Sequence, residues 1–216
     1  MCRRSCSRTT SPSEARRGPR RARRSGSGLK RAAPVLLLLA AACASPEPAA
    51  FVHPRADLSG IKRVAVLPFE SLTGEREAGR KVQDLFTIEL LALELFEVAE
   101  PGEVVRAFAK VSLDPNAALD PSDIKKLSEV LKVQAFFLGA VSEYRERPIG
   151  SLTSPEVAVA IRLVEVESGQ VLWTAAAGRS GLPWATRLFG VNEQSLQETS
   201  LEVVREALRT LTEGSG

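Results

Sequence analysis

The run Leu29–Cys43, LKRAAPVLLLLAAAC, sets what the rest of this chain can fold into. Two basic residues, Lys30 and Arg31, precede eleven small and apolar residues, Ala32 to Ala42, and Cys43 closes the run. A charged start, a short apolar stretch and small residues before a cut are the layout of an export signal. Spanning a bilayer as a helix takes ~20 apolar residues, so the run reads as a removable signal rather than a membrane span. The folded part is then expected after it, as one domain over 59–213, with 1–42 an extension plus signal and 43–58 a tether.

Residues 1–28 are rich in Arg, Ser, Gly and Pro without apolar periodicity, and such a composition builds no core. Leu29 is a plausible true initiator, which would give the signal an ordinary length. The first 31 residues hold eleven Lys and Arg against the single Glu14. From totals of 29 basic and 26 acidic residues, 18 and 25 remain, about −7 for everything else. A basic face for nucleic acid is therefore not expected. All three cysteines, Cys2, Cys6 and Cys43, lie at or before the proposed cut, and the one histidine, His53, falls in the tether. The domain thus has no disulfide, thiolate metal site, Ser-His pair or Cys-His pair to offer, and no metal or cofactor is expected.

Cys43 directly after Ala40-Ala41-Ala42 resembles a bacterial lipobox, in which the cysteine is acylated and becomes the first mature residue. A diacylglycerol and acyl anchor on Cys43 is what that resemblance implies. Ala40 stands where lipoboxes prefer Leu. The alternative is an ordinary signal cut near an alanine, with Cys43 incidental. Ala44 and Ser45 lack the acidic retention signal that some bacteria read after the cysteine, which points to the periplasmic face of the outer membrane.

After the tether, Ala44 to Asp57, the run Arg63 to Pro68 (RVAVLP) is continuously apolar at Val64–Leu67, as in a strand buried on both faces of a parallel sheet. Pro68 ends it. A helix is predicted from about Glu75 to Leu93, with Val82, Leu85, Phe86, Leu90 and Leu93 on one face. Gly79 inside it costs ~1 kcal/mol against Ala and suggests close packing. Phe96–Ala99 reads as a second strand. Helices follow from Pro101, with Val104, Val105 and Phe108 inward, and from Pro121, with Asp120 as its cap. Gln134–Tyr144, Glu156–Val166 and Gln170–Ala177 read as strands, the second with Val157, Val159, Ile161 and Leu163 inward and a slip at Val164–Val166 that suggests a bulge. A last helix spans about Asn192 to Leu211. The expected fold is α/β, a five-stranded mixed sheet of order 2-1-3-4-5 flanked by helices, the first three strands parallel and the last two antiparallel.

RVAVLPFESLTG, QAFFLGAVSEY and IRLVEVESGQVLW together resemble a superfamily of bacterial envelope lipoproteins. It includes the curli-secretion protein CsgG, the penicillin-binding-protein activator LpoB and the N-terminal domain of TolB-like proteins. The resemblance implies the fold but carries no catalytic residues. Pore-forming members insert long hairpins, and each spanning strand takes ~9–11 residues. Arg145–Ser154 and Ser180–Val191 are too short to supply two.

Two stretches are candidates for binding. Gly178–Val191 sets Trp184, Leu188 and Phe189 beside Arg179 and Arg187, an aromatic-aliphatic patch suited to a partner surface. The same side chains could instead cover a sheet edge. Phe69, Glu70, Ser71, Thr73 and Gly74 follow the first strand, where α/β sheets often bind ligands. Tyr144–Ser154 reads as a solvated hairpin loop, and Trp173 as core. Glu70 with Asp84 or Glu89 is the only carboxylate pairing to weigh for catalysis, and no base or nucleophile converges on it. The chain is expected to be no enzyme but a lipid-anchored adaptor or assembly module of the envelope, facing the periplasm. Its partners would be the membrane through its anchor, and other envelope proteins or itself, in secretion or peptidoglycan synthesis. The alternative is a small-ligand or glycan-binding module using the Phe69–Gly74 cleft.

Overall fold

The structure, a computed structural model, describes residues 48–53, 58–150, 152–180 and 194–213. Their strands are β1 (Ala49–Val52), β2 (Arg63–Val66), β3 (Glu70–Ser71), β4 (Glu97–Val98), β5 (Ala135–Ile149), β6 (Leu152–Glu165) and β7 (Val171–Ser180). The helices are α1 (Ala78–Ala92), α2 (Pro101–Lys110), α3 (Pro121–Leu131) and α4 (Leu196–Glu213). The sheet order is β1-β7-β6-β5-β2-β4, with β3 pairing onto β5. The five expected strands keep their expected order, with β2 parallel to β4 and β5, and β6 and β7 antiparallel. The sheet has seven strands rather than five.

Both added strands lay in segments without a strand pattern. Ala49–Val52, read as tether, pairs antiparallel with β7 from Ala49↔Ala176 to Val52↔Trp173. His53 continues the pairing by donating its backbone N–H to Leu172 O at 2.9 Å. This segment is held by backbone hydrogen bonds to an otherwise open edge, so it needs no alternating side chains. Glu70–Ser71 is too short to show a period and pairs with Ala140–Val141.

Helices cover the sheet unequally. On one face α1 and α4 bury Val82, Phe86, Leu90, Val203, Val204, Ala207, Leu208 and Leu211 against Val64, Val66, Phe137, Val157, Val159, Ile161, Leu163 and Trp173. Phe137 sits at the centre, its ring edge-on to Phe86, Phe96 and Trp173 at 5.2–6.2 Å. Trp173 donates its indole N–H to Thr210 Oγ1 at 3.1 Å, so a fully buried polar group is satisfied. On the other face α2 and α3 cover Ala65, Leu67 and Phe136 with Val104, Ala107, Phe108, Leu127 and Leu131, and Leu138 packs at the margin of this cluster. Val105, expected inward, is 66% exposed, because Val104 and Phe108 already fill the inward stripe of this short helix.

The local signals explain the ends. Asp120 caps α3: its side chain accepts from Asp123 N–H at 2.9 Å, and the Asp123 side chain accepts in return from Asp120 N–H. Ser195 and Glu198 form the same reciprocal pair at the start of α4, a Ser-x-x-Glu signal readable in the sequence. α1 begins at Ala78 rather than Glu75, since Thr73 and Glu75 form the turn that precedes it. Gly169, at φ +68°, closes the β6–β7 turn. Beside it the register slips between Leu163 and Val164, with the extra residue, Leu172, on β7.

Candidate functional site

The segment after the first inner strand is a wedge rather than a cleft. Phe69 is buried, and two glycines make room for it. A Cβ at Gly79 would lie 2.1 Å from Phe69 O, and one at Gly139 would lie 2.7 Å from the Phe69 ring. The mid-helix glycine thus permits α1 to close onto the chain just beyond β2. Ser71 Oγ donates to Glu75 O at 2.7 Å, and Thr73 Oγ1 accepts the Glu75 N–H at 3.1 Å. Both hydroxyls therefore stabilise the turn into α1, while Glu70 and Gly74 face outward.

The carboxylates weighed for catalysis do not converge. Glu89 receives a two-pronged contact from Arg205 of α4, at 2.8 and 2.9 Å, which ties α1 to α4. Asp84 pairs with Arg80 at 3.6 Å. Among the described residues no group of three or more His, Cys, Asp or Glu could hold a metal ion. No described helix is long and apolar enough to cross a membrane.

Arg179 lies near the end of β7 and pairs with Glu202 at 3.4 Å and Glu206 at 3.3 Å, both on α4. It serves the packing of α4 on the sheet. Cys43, Trp184, Arg187, Leu188 and Phe189 lie outside the described residues.

Residues 144–149 and 152–154, in the stretch read as a solvated loop, belong to the extended arms of a two-stranded hairpin. Pairing runs from Ala135↔Glu165 to Ile149↔Leu152, with one irregularity between Val141 and Glu143. Gly150, at φ +64°, forms the tight turn. Glu156, opposite Arg145 in the ladder, is buried and receives Arg145 Nε at 2.7 Å and Arg147 Nε at 3.1 Å. The Arg145 guanidinium is raised above its ordinary value, first by its hydrogen bond to Glu156 and then by the charge of Glu143. The Glu and Arg residues that suggest solvent instead hold two arms together. The described part of β7 stops at Ser180, opposite Glu156, and among the described residues the last four of each arm pair only with one another.

The feature that sequence reading missed is the second face of β6, β7 and β1. No described helix covers it. The register places Ala49, Ala176, Ala160 and Ala140 in one row across four strands, followed by Phe51, Thr174, Arg162 and Leu138 in the next. Ala49, Ala176, Ala160 and Phe51 are exposed, Phe51 at 49%. Gly178 and Ala158 form a further row, so close that a Cβ on Gly178 would lie 3.2 Å from that of Ala158. A solvated antiparallel sheet normally shows polar residues on its outer face. Here small apolar residues fill the row Ala49, Ala176 and Ala160, while the next row sets Phe51 beside Thr174 and Arg162. The signal lay in the outward positions of β6 and β7, where alanines fill places expected to be polar.

No protein-family model matches the chain, and no curated protein matches its sequence. Solved structures do match. A PelC dodecamer from Paraburkholderia phytofirmans shares 19% identity at a TM-score of 0.54, covering 77% of this chain and 98% of that one. The lipoprotein GNA1162 from Neisseria meningitidis shares 17% identity at a TM-score of 0.50, covering 70% and 99%. The LpoB C-terminal domain from Escherichia coli aligns at 13% identity over 56% of this chain, with a TM-score of 0.43. The chain therefore has the fold that PelC and the lipoprotein GNA1162 share.

Proposed function

We propose that this chain is a lipid-anchored, non-catalytic assembly module of the bacterial envelope, facing the periplasm of the outer membrane. It docks other envelope proteins or further copies of itself through the open face of β6, β7 and β1. The observation that carries this reading is the row Ala49, Ala176 and Ala160, exposed small apolar residues across β1, β7 and β6 with no described helix over them. Flat exposed apolar surfaces of this kind mark partner sites in soluble domains. Two further points support it. One solved structure of the same fold is a dodecamer and another is a lipoprotein. The chain also offers a cysteine after a signal-like run and no nucleophile–base pair inside the domain.

The ligand-cleft alternative gains no support, since the hydroxyls of Ser71 and Thr73 serve the turn into α1 and Phe69 is core. Fractionation tests the anchor, and sedimentation tests the docking. Cys43→Ser should move the protein from envelope membranes to the soluble periplasm, still folded. That soluble form should sediment as an oligomer or with a partner, and adding Ala160→Arg should return it to a folded monomer. A Cys43→Ser protein that stays on membranes would end the anchor reading. Association unaffected by Ala160→Arg would end the docking reading.

A further inference from the structure

The open face of β6, β7 and β1 matches itself. We infer that its occupant is a second copy of this chain, related by a two-fold axis along β7, with Phe51 of each copy against Arg162 of the other. The inference rests on docking through this face, proposed above, and names the partner and its geometry.

A two-fold interface brings one surface against itself, so the surface must be self-complementary. In one row Thr174 lies between Phe51 of β1 and Arg162 of β6, and in the next Ala176 lies between Ala49 and Ala160. Paired strands stand about 4.8 Å apart, so the flanking residues of each row are equally distant from β7. Half a turn about β7 then sets Ala49 over Ala160 of the second copy and Phe51 over its Arg162. The helices leave room for this axis. α2 and α3 stand on the same face, packed on Ala65, Leu67 and Phe136 of β2 and β5. Half a turn about β7 carries the second copy's α2 and α3 beyond β1, whereas a two-fold across the strands would drive the two pairs of helices together.

The chemistry of the rows suits the contact. Arg162 is exposed and has no ion-pair partner among the described residues. Phe51 is 49% exposed. A guanidinium is drawn to the face of an aromatic ring, more strongly where water is excluded, and the two-fold makes that contact twice. On the axis, Thr174 already donates its hydroxyl to Ile161 O at 3.0 Å, so meeting its twin strands no donor. Thr174, Ala176 and Gly178 fall in size along β7, which lets the two backbones close on each other toward Gly178. The pairing of Ala49–Val52 onto β7 supplies both Phe51 and the third strand that makes the face symmetric.

Native mass spectrometry of the full chain, released from mild detergent, reads the assembly over a concentration series. The unchanged protein should form a dimer. Phe51→Arg sets like charges across the interface and Arg162→Glu removes the cation, so each variant alone should weaken the dimer roughly tenfold or more. Circular dichroism should show both variants folded. Mixing the two, with one isotope-labelled, should restore a heterodimer, because each mixed pair holds one new ion pair and one original Phe51–Arg162 contact. Single variants that dimerise as tightly as the unchanged protein, or a mixture with no gain over either, would overturn the two-fold. An unchanged protein that stays monomeric, while Ala160→Arg costs it a defined envelope partner, would overturn the two-fold and leave docking standing. A dimer indifferent to Ala160→Arg would overturn both.

Discussion

The two faces of the β6–β7–β1 half of the sheet are built from residues of different size. Toward α1 and α4 the strands present Val157, Val159, Ile161, Leu163 and Trp173, all buried. On the opposite face the same strands present Ala158, Ala160, Ala176 and Gly178, mostly exposed. Bulky branched side chains fill a core to the density at which each lost methylene is felt. Alanine and glycine contribute little to such a core, but they leave a flat surface whose backbone another molecule can approach. Residue size thus separates a face that holds the domain together from one available to a partner.

Substitutions on the two faces should therefore fail differently. The largest effect is expected from Phe137→Ala, which empties the centre of the covered face and should cost about 3–5 kcal/mol in urea unfolding. A loss near zero would mean that this face is not the main core. Next comes Gly79→Ala. Helix propensity alone would favour it by ~1 kcal/mol, but its Cβ would lie 2.1 Å from Phe69 O, so the protein should lose stability instead. A gain in unfolding midpoint would show that α1 does not close so tightly onto the chain after β2. Smaller still is Glu156→Gln, which weakens the link between the hairpin arms. Its Arg partners are about half exposed, so global stability should fall by no more than about 1 kcal/mol. Amide exchange should quicken at Glu146–Ile149, beyond the end of β7, and stay unchanged at Phe136–Leu138. Equal exchange changes at both places would mean that the arms and the core open together.

The smallest effect is one of pH. The Asp120 carboxyl is held below its ordinary 3.8, first by accepting the Asp123 backbone N–H and then by the Ser122 hydroxyl. A value lowered by folding stabilises fully above the unfolded value and loses its effect as pH falls through the folded one. The first turn of α3 should therefore loosen below about pH 4, while Asp120→Asn, which keeps a capping oxygen, should lose that pH dependence. Exchange at Asp123 as a function of pH reads this directly, and an unchanged profile in Asp120→Asn would show the cap is not its source.

What was legible in the sequence follows from how each element is held. Val64–Leu67 and the alternation from Val157 to Leu163 declare their strands because side-chain burial fixes them. The order of the five main strands follows from the helices between β2, β4 and β5 and from the short connections between β5, β6 and β7. Ala49–Val52 declares nothing, because an edge strand joined by backbone pairing requires no pattern. The arms beyond Glu143 mislead because their alternating Glu and Arg residues resemble a solvated loop, although they pair across the ladder. Gly79 was readable as a close approach, but its neighbour, Phe69 beyond the strand end, could be seen only in three dimensions. Of the candidate residues, Arg179 proves to brace α4, and Ser71 and Thr73 to form a turn. The alanine rows were present in the sequence. They become a surface only once the register aligns β6 and β7 with β1, more than a hundred residues earlier in the chain.

The docking claim is tested most directly by cross-linking in the envelope from a single thiol. Ala160→Cys places that thiol on the open face, and Val105→Cys places one on the exposed side of α2 as a control. A short bismaleimide should join Ala160→Cys protein to a second copy, or a short maleimide–succinimidyl ester should join it to one defined envelope protein through an amine, and both should leave Val105→Cys protein monomeric. Monomer alone from both variants would contradict the account.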